Sequence, residues 1–454
     1  MRIAITLLAF LALAAAARPA DTAVPFKAGV ATKVITPTEP LWMAGYANRT
    51  KPAEGKQHDL HVKALALEDA SGTVLVLVTS DLIGLPRPFS DKVAAEVQRR
   101  AGIPRERLML TASHTHCGPV LDGNLMDMYP IGDDQKQAIA RYTDQLAGWT
   151  VETVLAALAD RKPARLAYGS GTARFAMNRR QPTPNGIING RNPDGPVDHT
   201  VPVLRVEAAD GTLRAVVLGY ACHNTTLSYQ KWCGDYAGFA QLALEAKHPG
   251  ALAMFWDGCG ADANPLPRGT VAHAERYSGE LAEAVDGALA GKVAPIIGTF
   301  AAHYATIALP FDHTPTREQL QADRSENNHT KRQWAARFLK ILDGGGQLPK
   351  EYAHYPVQVW RLGDGPLWVA LGGEAVVDYD LRLKKELAGP RPVWVTAYAN
   401  DVMAYIPSER VLKEGGYEGD TSMIPYGQPS KWAPGLEEKI VGKVRELAKD
   451  VTNR

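Results

Sequence analysis

Leu108-Met109-Leu110-Thr111-Ala112-Ser113-His114-Thr115-His116-Cys117-Gly118-Pro119 is an apolar run that stops abruptly in a polar loop closed by Gly-Pro. The first five residues read as a short buried strand, and His114 and His116 then project from the same side of an extended backbone. Two imidazoles so placed can share one metal ion, or one can hold it while the other moves a proton. Taken alone, the pair also fits two hydrogen-bonded loop histidines.

The same arrangement recurs along the chain. His223 follows Val216-Val217-Leu218-Gly219-Tyr220-Ala221-Cys222, Asp257 to Asn264 follow Ala253-Met254-Phe255-Trp256, and Glu374 follows Leu371-Gly372-Gly373. Polar groups set directly after apolar strands are the pattern of an α/β domain, whose strand-end loops gather into a site. Strands are predicted at His61 to Glu68, Val74 to Thr79, Arg107 to Ala112, Arg165 to Gly169, Val201 to Val206, Arg214 to Tyr220 and Ala251 to Phe255. Later strands are predicted at Thr299 to Leu309, Gln358 to Leu362, Leu367 to Leu371 and Val393 to Ala397. Three- and four-residue apolar spacing predicts helices at Asp91 to Ala101, Asp134 to Leu158, Val271 to Leu289, Thr316 to Leu342, Tyr379 to Leu387 and Leu436 to Ala448. The elements interleave with no Ser/Gly/Pro linker, which predicts one large α/β domain with mixed central sheets flanked by helices.

The start of the chain has a different character. Met1-Arg2 is a short basic beginning, Ile3 to Ala16 is apolar, and small residues stand at Ala14, Ala16 and Ala20. This predicts a signal peptide over residues 1–20, a domain over 21–454 and a secreted or periplasmic protein, the alternative being a retained N-terminal anchor. No later segment approaches a membrane-spanning length, so any membrane contact of the mature chain is expected to be peripheral. Lys+Arg number 50 against Asp+Glu 49, so no net field draws the protein to nucleic acid. Cys117, Cys222, Cys233 and Cys259 allow three disulfide pairings in an oxidising compartment, and the absence of any C-x-x-C argues against a cysteine zinc cluster.

Three histidines and a glutamate, His114, His116, His223 and Glu374, suit Zn²⁺, which takes imidazole nitrogen and carboxylate oxygen and keeps an open position for catalysis. The ordinary alternatives are a Glu374–Arg382 ion pair and a His223 ring that merely bonds Thr225 or Thr226.

Longer stretches carry a resemblance. Gly45-Tyr46-Ala47-Asn48 and Ser113 to Pro119 resemble the G-Y-A-N and T-H-T-H-S-G-P motifs of the neutral, non-lysosomal ceramidase family. Asn178-Arg179 resembles its N-R element, Ala221-Cys222-His223-Asn224-Thr225-Thr226 its A-x-H-x-T-S segment, and Gly373-Glu374 its G-E. Ala404-Tyr405-Ile406-Pro407-Ser408 resembles H-Y-I-T-T, and Tyr417-Glu418-Gly419-Asp420-Thr421-Ser422 resembles Y-E-A-A-S-T. The motifs occur in family order. The resemblance implies an exported zinc-dependent amidase acting on ceramide or another N-acyl compound, with the metal held by His114, His223, Glu374 and Tyr405. It also implies that His116 moves the proton of the attacking water and that Arg179 binds the carbonyl oxygen as it becomes an oxyanion. Asp81 and Asp198 are expected either to orient the histidines or to serve as ordinary turn and capping residues.

Two departures qualify the resemblance. The family's G-D-x-S-P-N element reads Ala261-Asp262-Ala263-Asn264-Pro265-Leu266 here, so Asp262 is kept while Asn264 replaces the serine and excludes a serine nucleophile. The chain also ends soon after the tyrosine motif, where family members continue into a β-sandwich. A small-molecule or lipid substrate is expected, with residues 181–196 and the helix from Thr316 at the pocket rim. The alternatives are a zinc esterase or deacetylase acting on carbohydrate or lipid esters, and a non-catalytic ligand-binding homologue.

Overall fold

The computed structural model describes residues 25–452; the predicted leader at residues 1–20 lies outside them. A nine-stranded mixed sheet runs in the order Leu252–Asp257, Leu213–Tyr220, Thr200–Ala208, Lys162–Thr172, Phe26–Val34, His61–Glu68, Val74–Ser80 and Leu108–Ala112, with Ala294–Pro295 paired beside Lys162–Thr172. Most neighbours are antiparallel, but the outermost pair at each end is parallel. The sheet twists and curls until its two edge strands, Leu108–Ala112 and Leu252–Asp257, approach each other. The histidine loop and the loop carrying Asp262, which leave those edges, can therefore meet.

A second sheet orders Phe300–Pro310, Glu351–Leu362, Leu367–Leu371 and Val393–Thr396. The two sheets share one apolar layer in which Trp256, Trp360, Trp368 and Trp394 pack together. Helices Arg87–Ala101 and Asp133–Ala159 cover one part of the large sheet's other face, and Asp235–Lys247 and Val271–Ala290 cover another. The second sheet is backed by Val377–Glu386 and Leu436–Thr452. The last helix buries Leu436, Ile440, Val441, Val444, Leu447, Ala448 and Val451, a stripe at three- and four-residue spacing; each large aliphatic in it contributes about 1.5–3 kcal/mol by burial. Val74–Ser80 and Leu367–Leu371 are buried along their whole length, as expected of strands covered on both faces. The expected α/β architecture is thus observed.

The longer elements that differ from expectation lie in three places. Strand Phe26–Val34 and helix Asp235–Lys247 had no sequence prediction. The single helix expected from Thr316 to Leu342 is two, Arg317–Arg324 and His329–Asp343, because the Asn328 side chain accepts from the Lys331 N–H and caps a second helix. No helix among the described residues is long and apolar enough to cross a membrane. All four cysteines are buried free thiols.

Candidate active site

His114 stands at φ +57° where its strand ends, and its Nδ1–H donates to the Ile83 carbonyl at 2.6 Å. The Nδ1–H of His223 donates to the Gly260 carbonyl at 2.8 Å. Each ring therefore turns its Nε2 to the centre, the orientation metal-ligating histidines adopt when a backbone carbonyl holds the other nitrogen. Glu374 Oε2 lies 3.1 Å from His114 Nε2 and 3.2 Å from His223 Nε2, yet it accepts no hydrogen bond. Burial, with Arg179 adding to it, lowers His223 to about 3, so its ring is neutral. The Nε2 atoms of His114 and His223 thus converge on one carboxylate oxygen that has no hydrogen-bond partner of its own. A buried carboxylate oxygen without a hydrogen bond is costly to leave unpaired, and two imidazole nitrogens beside it make a ligand set that zinc favours.

The Tyr405 hydroxyl completes the group, 3.1 Å from His223 Nε2 and 3.0 Å from Arg179 Nη2. Strand pairing of Glu374 with Tyr405 sets the two in register. Burial pushes the Tyr405 phenol up, Arg179 opposes the shift and Glu374 adds to it.

His116 differs from its neighbours. Its Nε2 is 3.1 Å from His114 Nε2, and His114, His116 and His223 together could bracket one ion. However, His116 Nδ1 has no partner among the described residues, and its ring is seated by Gly45 and Tyr46. The Tyr46 ring lies 4.7 Å away. A Cβ on Gly45 would stand 2.3 Å from His116 Nδ1, and Gly45 holds φ +101°, so the G-Y-A-N glycine is required twice over. Burial, followed by His114 and His223, keeps His116 well below the usual imidazole range.

Arg179 reaches the centre from the other side. Its Nη1 donates to Asn264 Oδ1 at 3.3 Å and its Nε to Glu418 Oε1 at 2.7 Å. Asp262 is fully engaged below: Val377 N–H donates to Oδ1 at 2.8 Å and Asn178 Nδ2 to Oδ2 at 3.0 Å. It ties the Asn178-Arg179 segment to the helix that follows Glu374.

The site therefore gathers His114, His116, His223, Glu374, Tyr405, Arg179, Asn264 and Asp262 in one buried place. Asp198 is elsewhere, bonded to Lys384 and the Thr200 N–H. Asp81 accepts from the His61 N–H and Gln241, so neither aspartate orients a site histidine directly. Arg382 pairs with Glu386, Glu437 and Glu438 and leaves Glu374 alone. Sequence reasoning did not find Tyr426, whose hydroxyl donates to Glu374 Oε1, or Tyr398, whose ring stacks on His114 at 4.3 Å. Both lie on loops with no motif of their own.

The sequence profile of the family described as neutral/alkaline non-lysosomal ceramidase, N-terminal, matches residues 26–295, more than half of the chain. The chain belongs to this family. Two solved structures agree in fold. One, a ceramidase complexed with C2, has a TM-score of 0.72 at 19% identity, over 95% of this chain and 76% of that one. The other, a neutral ceramidase from Pseudomonas aeruginosa, has a TM-score of 0.71 at 21% identity, over 93% of this chain and 74% of that one. No curated protein matches the sequence significantly. Membership makes the chain a hydrolase of the ceramidase type and supports the resemblance read from the motifs.

Proposed function

We propose that the protein is an exported, zinc-dependent amidase that hydrolyses ceramide or a closely related N-acyl lipid. The observation that carries this reading is the convergence of His114 Nε2, His223 Nε2 and Glu374 Oε2 beside Tyr405 in a chain of the ceramidase family. His114, His223, Glu374 and Tyr405 would hold the metal. Zinc bound there supplies Lewis acidity, polarising the amide carbonyl and acidifying water.

The chain's own groups account for the remaining steps. The unanchored His116 takes a proton from the attacking water and delivers it to the departing amine, so that the C–N bond breaks to a carboxylic acid and an amine. The Nη edge of Arg179, fixed at Asn264 and Tyr405, meets the carbonyl oxygen as negative charge develops in a water-poor site. Asn264 lends Arg179 an acceptor and cannot act as a nucleophile. Asp262 positions Arg179 through the Asn178 segment. The predicted leader supports export.

The reading is tested by chelating the purified mature protein, restoring zinc, and measuring fatty-acid release from an N-acylsphingosine beside acetate release from acetylated sugars. Zinc-dependent fatty-acid release is expected. Acetate release alone would make the protein an esterase, and the absence of both would make it a binding protein.

A further inference from the structure

Arg179 is followed by a second arginine that the reaction does not use. Arg180 is 2% exposed, lies at the root of the hairpin formed by Arg180–Thr183 and Gly186–Asn189, and spends its guanidinium on the segment from Glu414 to Glu418. Its Nη1 donates to Glu418 Oε2 at 2.6 Å, and its Nη2 donates to Glu414 Oε2 at 3.0 Å and to the Gly415 carbonyl at 2.9 Å. Glu418, 3% exposed, therefore divides its carboxylate: one oxygen takes Arg179 Nε and the other takes Arg180.

That division matters because a buried arginine beside an undivided carboxylate forms a two-bond fork, the most favourable pairing available to it. A fork to Glu418 would use Arg179 Nε together with Nη2, and Nη2 is the nitrogen now bonded to Tyr405. We infer that Arg180 is a positioning residue: by occupying Glu418 Oε2 it holds Glu418 to a single bond with Arg179, which keeps both Nη nitrogens turned to Asn264 and Tyr405. The exposed end of Glu414 supplies Arg180 with its own counter-charge, so the buried cluster need not draw on Glu418 twice.

The kinetic arm of the test rests on the amidase reading; the crystallographic arm does not. Arg180→Met and Arg180→Lys are made in the wild-type and Arg179→Met backgrounds. Arg180→Met is expected to lower kcat about 10- to 100-fold with KM within about twofold, the scale of a misplaced catalytic group. Arg180→Lys, which can still bond one Glu418 oxygen, should recover most of that loss. In the Arg179→Met background, Arg180→Met should cost nothing further. A crystal structure of Arg180→Met should show Glu418 bonded to two nitrogens of Arg179. An equal loss in both backgrounds, or Glu418 still on Nε alone, would overturn the inference. Should Arg180→Met not fold, Arg180→Gln, whose shorter side chain stops short of Glu418, is read in the same way. If the wild-type protein releases no fatty acid, the amidase reading falls and the crystal structure still decides the role of Arg180.

Discussion

His114 and His116 stand two residues apart and 3.1 Å apart at Nε2, but only His114 has its Nδ1 fixed by a backbone carbonyl. Under the proposed function, that difference assigns His114 to the metal and His116 to proton transfer. His114→Ala and His223→Ala should each reduce bound zinc from about one per chain to near none. His116→Ala should retain the metal and lose about 10²- to 10⁴-fold in kcat. Metal analysis with steady-state kinetics checks both; zinc loss in His116→Ala would make that ring a ligand.

Gly45 leaves no room for a side chain beside His116. Gly45→Ala should keep its zinc, lower kcat at least about tenfold by shifting the His116 ring, and cost about 1–3 kcal/mol of stability from the positive φ and the close contact. Urea titration and kinetics on the same preparation separate the two effects. An unchanged kcat would mean that the ring's placement does not limit the reaction.

Tyr426 donates to the Glu374 oxygen that faces away from the histidines. Tyr426→Phe should weaken zinc binding about 10- to 100-fold, the usual cost of losing a partner behind a ligand, while leaving the fold intact. Competition with a chelator gives the affinity. Wild-type affinity in the variant would remove Tyr426 from the account.

Asp401 gives the protein a specific pH dependence. Burial pushes its carboxyl up from 3.8 to about 7, against the pull of the Tyr352 hydroxyl and Arg87. The folded state therefore binds this proton more tightly than the unfolded chain. Its contribution to stability is complete below about pH 4 and is lost as pH rises towards 7, amounting to at most about 4 kcal/mol. Asp401→Asn should flatten this part of the stability profile, measured as the urea midpoint between pH 4 and 7. Parallel profiles for the two proteins would contradict the assignment.

The residues best read from sequence were those that stand immediately after apolar strands. His114, His116, His223 and Glu374 announce themselves because a continuous apolar strand ends and a polar group follows. Tyr405 has no such signal and came only through resemblance. Tyr426 and Arg180 were invisible for a different reason: their partners, Glu374 and Glu418, are 52 and 238 residues away, and no local pattern encodes such a contact. Helix Asp235–Lys247 escaped because its buried side is built from Tyr236, Ala237, Gly238, Ala240, Gln241 and Leu244, a mixture of small and polar groups with little amphipathic contrast. Strand Phe26–Val34 carries Lys27, Thr32 and Lys33 and buries only part of its length, so tertiary pairing on both sides outweighs its weak alternation.

Anomalous diffraction from crystals of the zinc-loaded protein, recorded on both sides of the zinc absorption edge, tests the central claim most directly. The account predicts one strong peak coordinated by His114 Nε2, His223 Nε2, Glu374 and Tyr405, with His116 beside it and outside bonding distance. The absence of a peak among these residues, or a metal bound through His116 with His223 free, would contradict it.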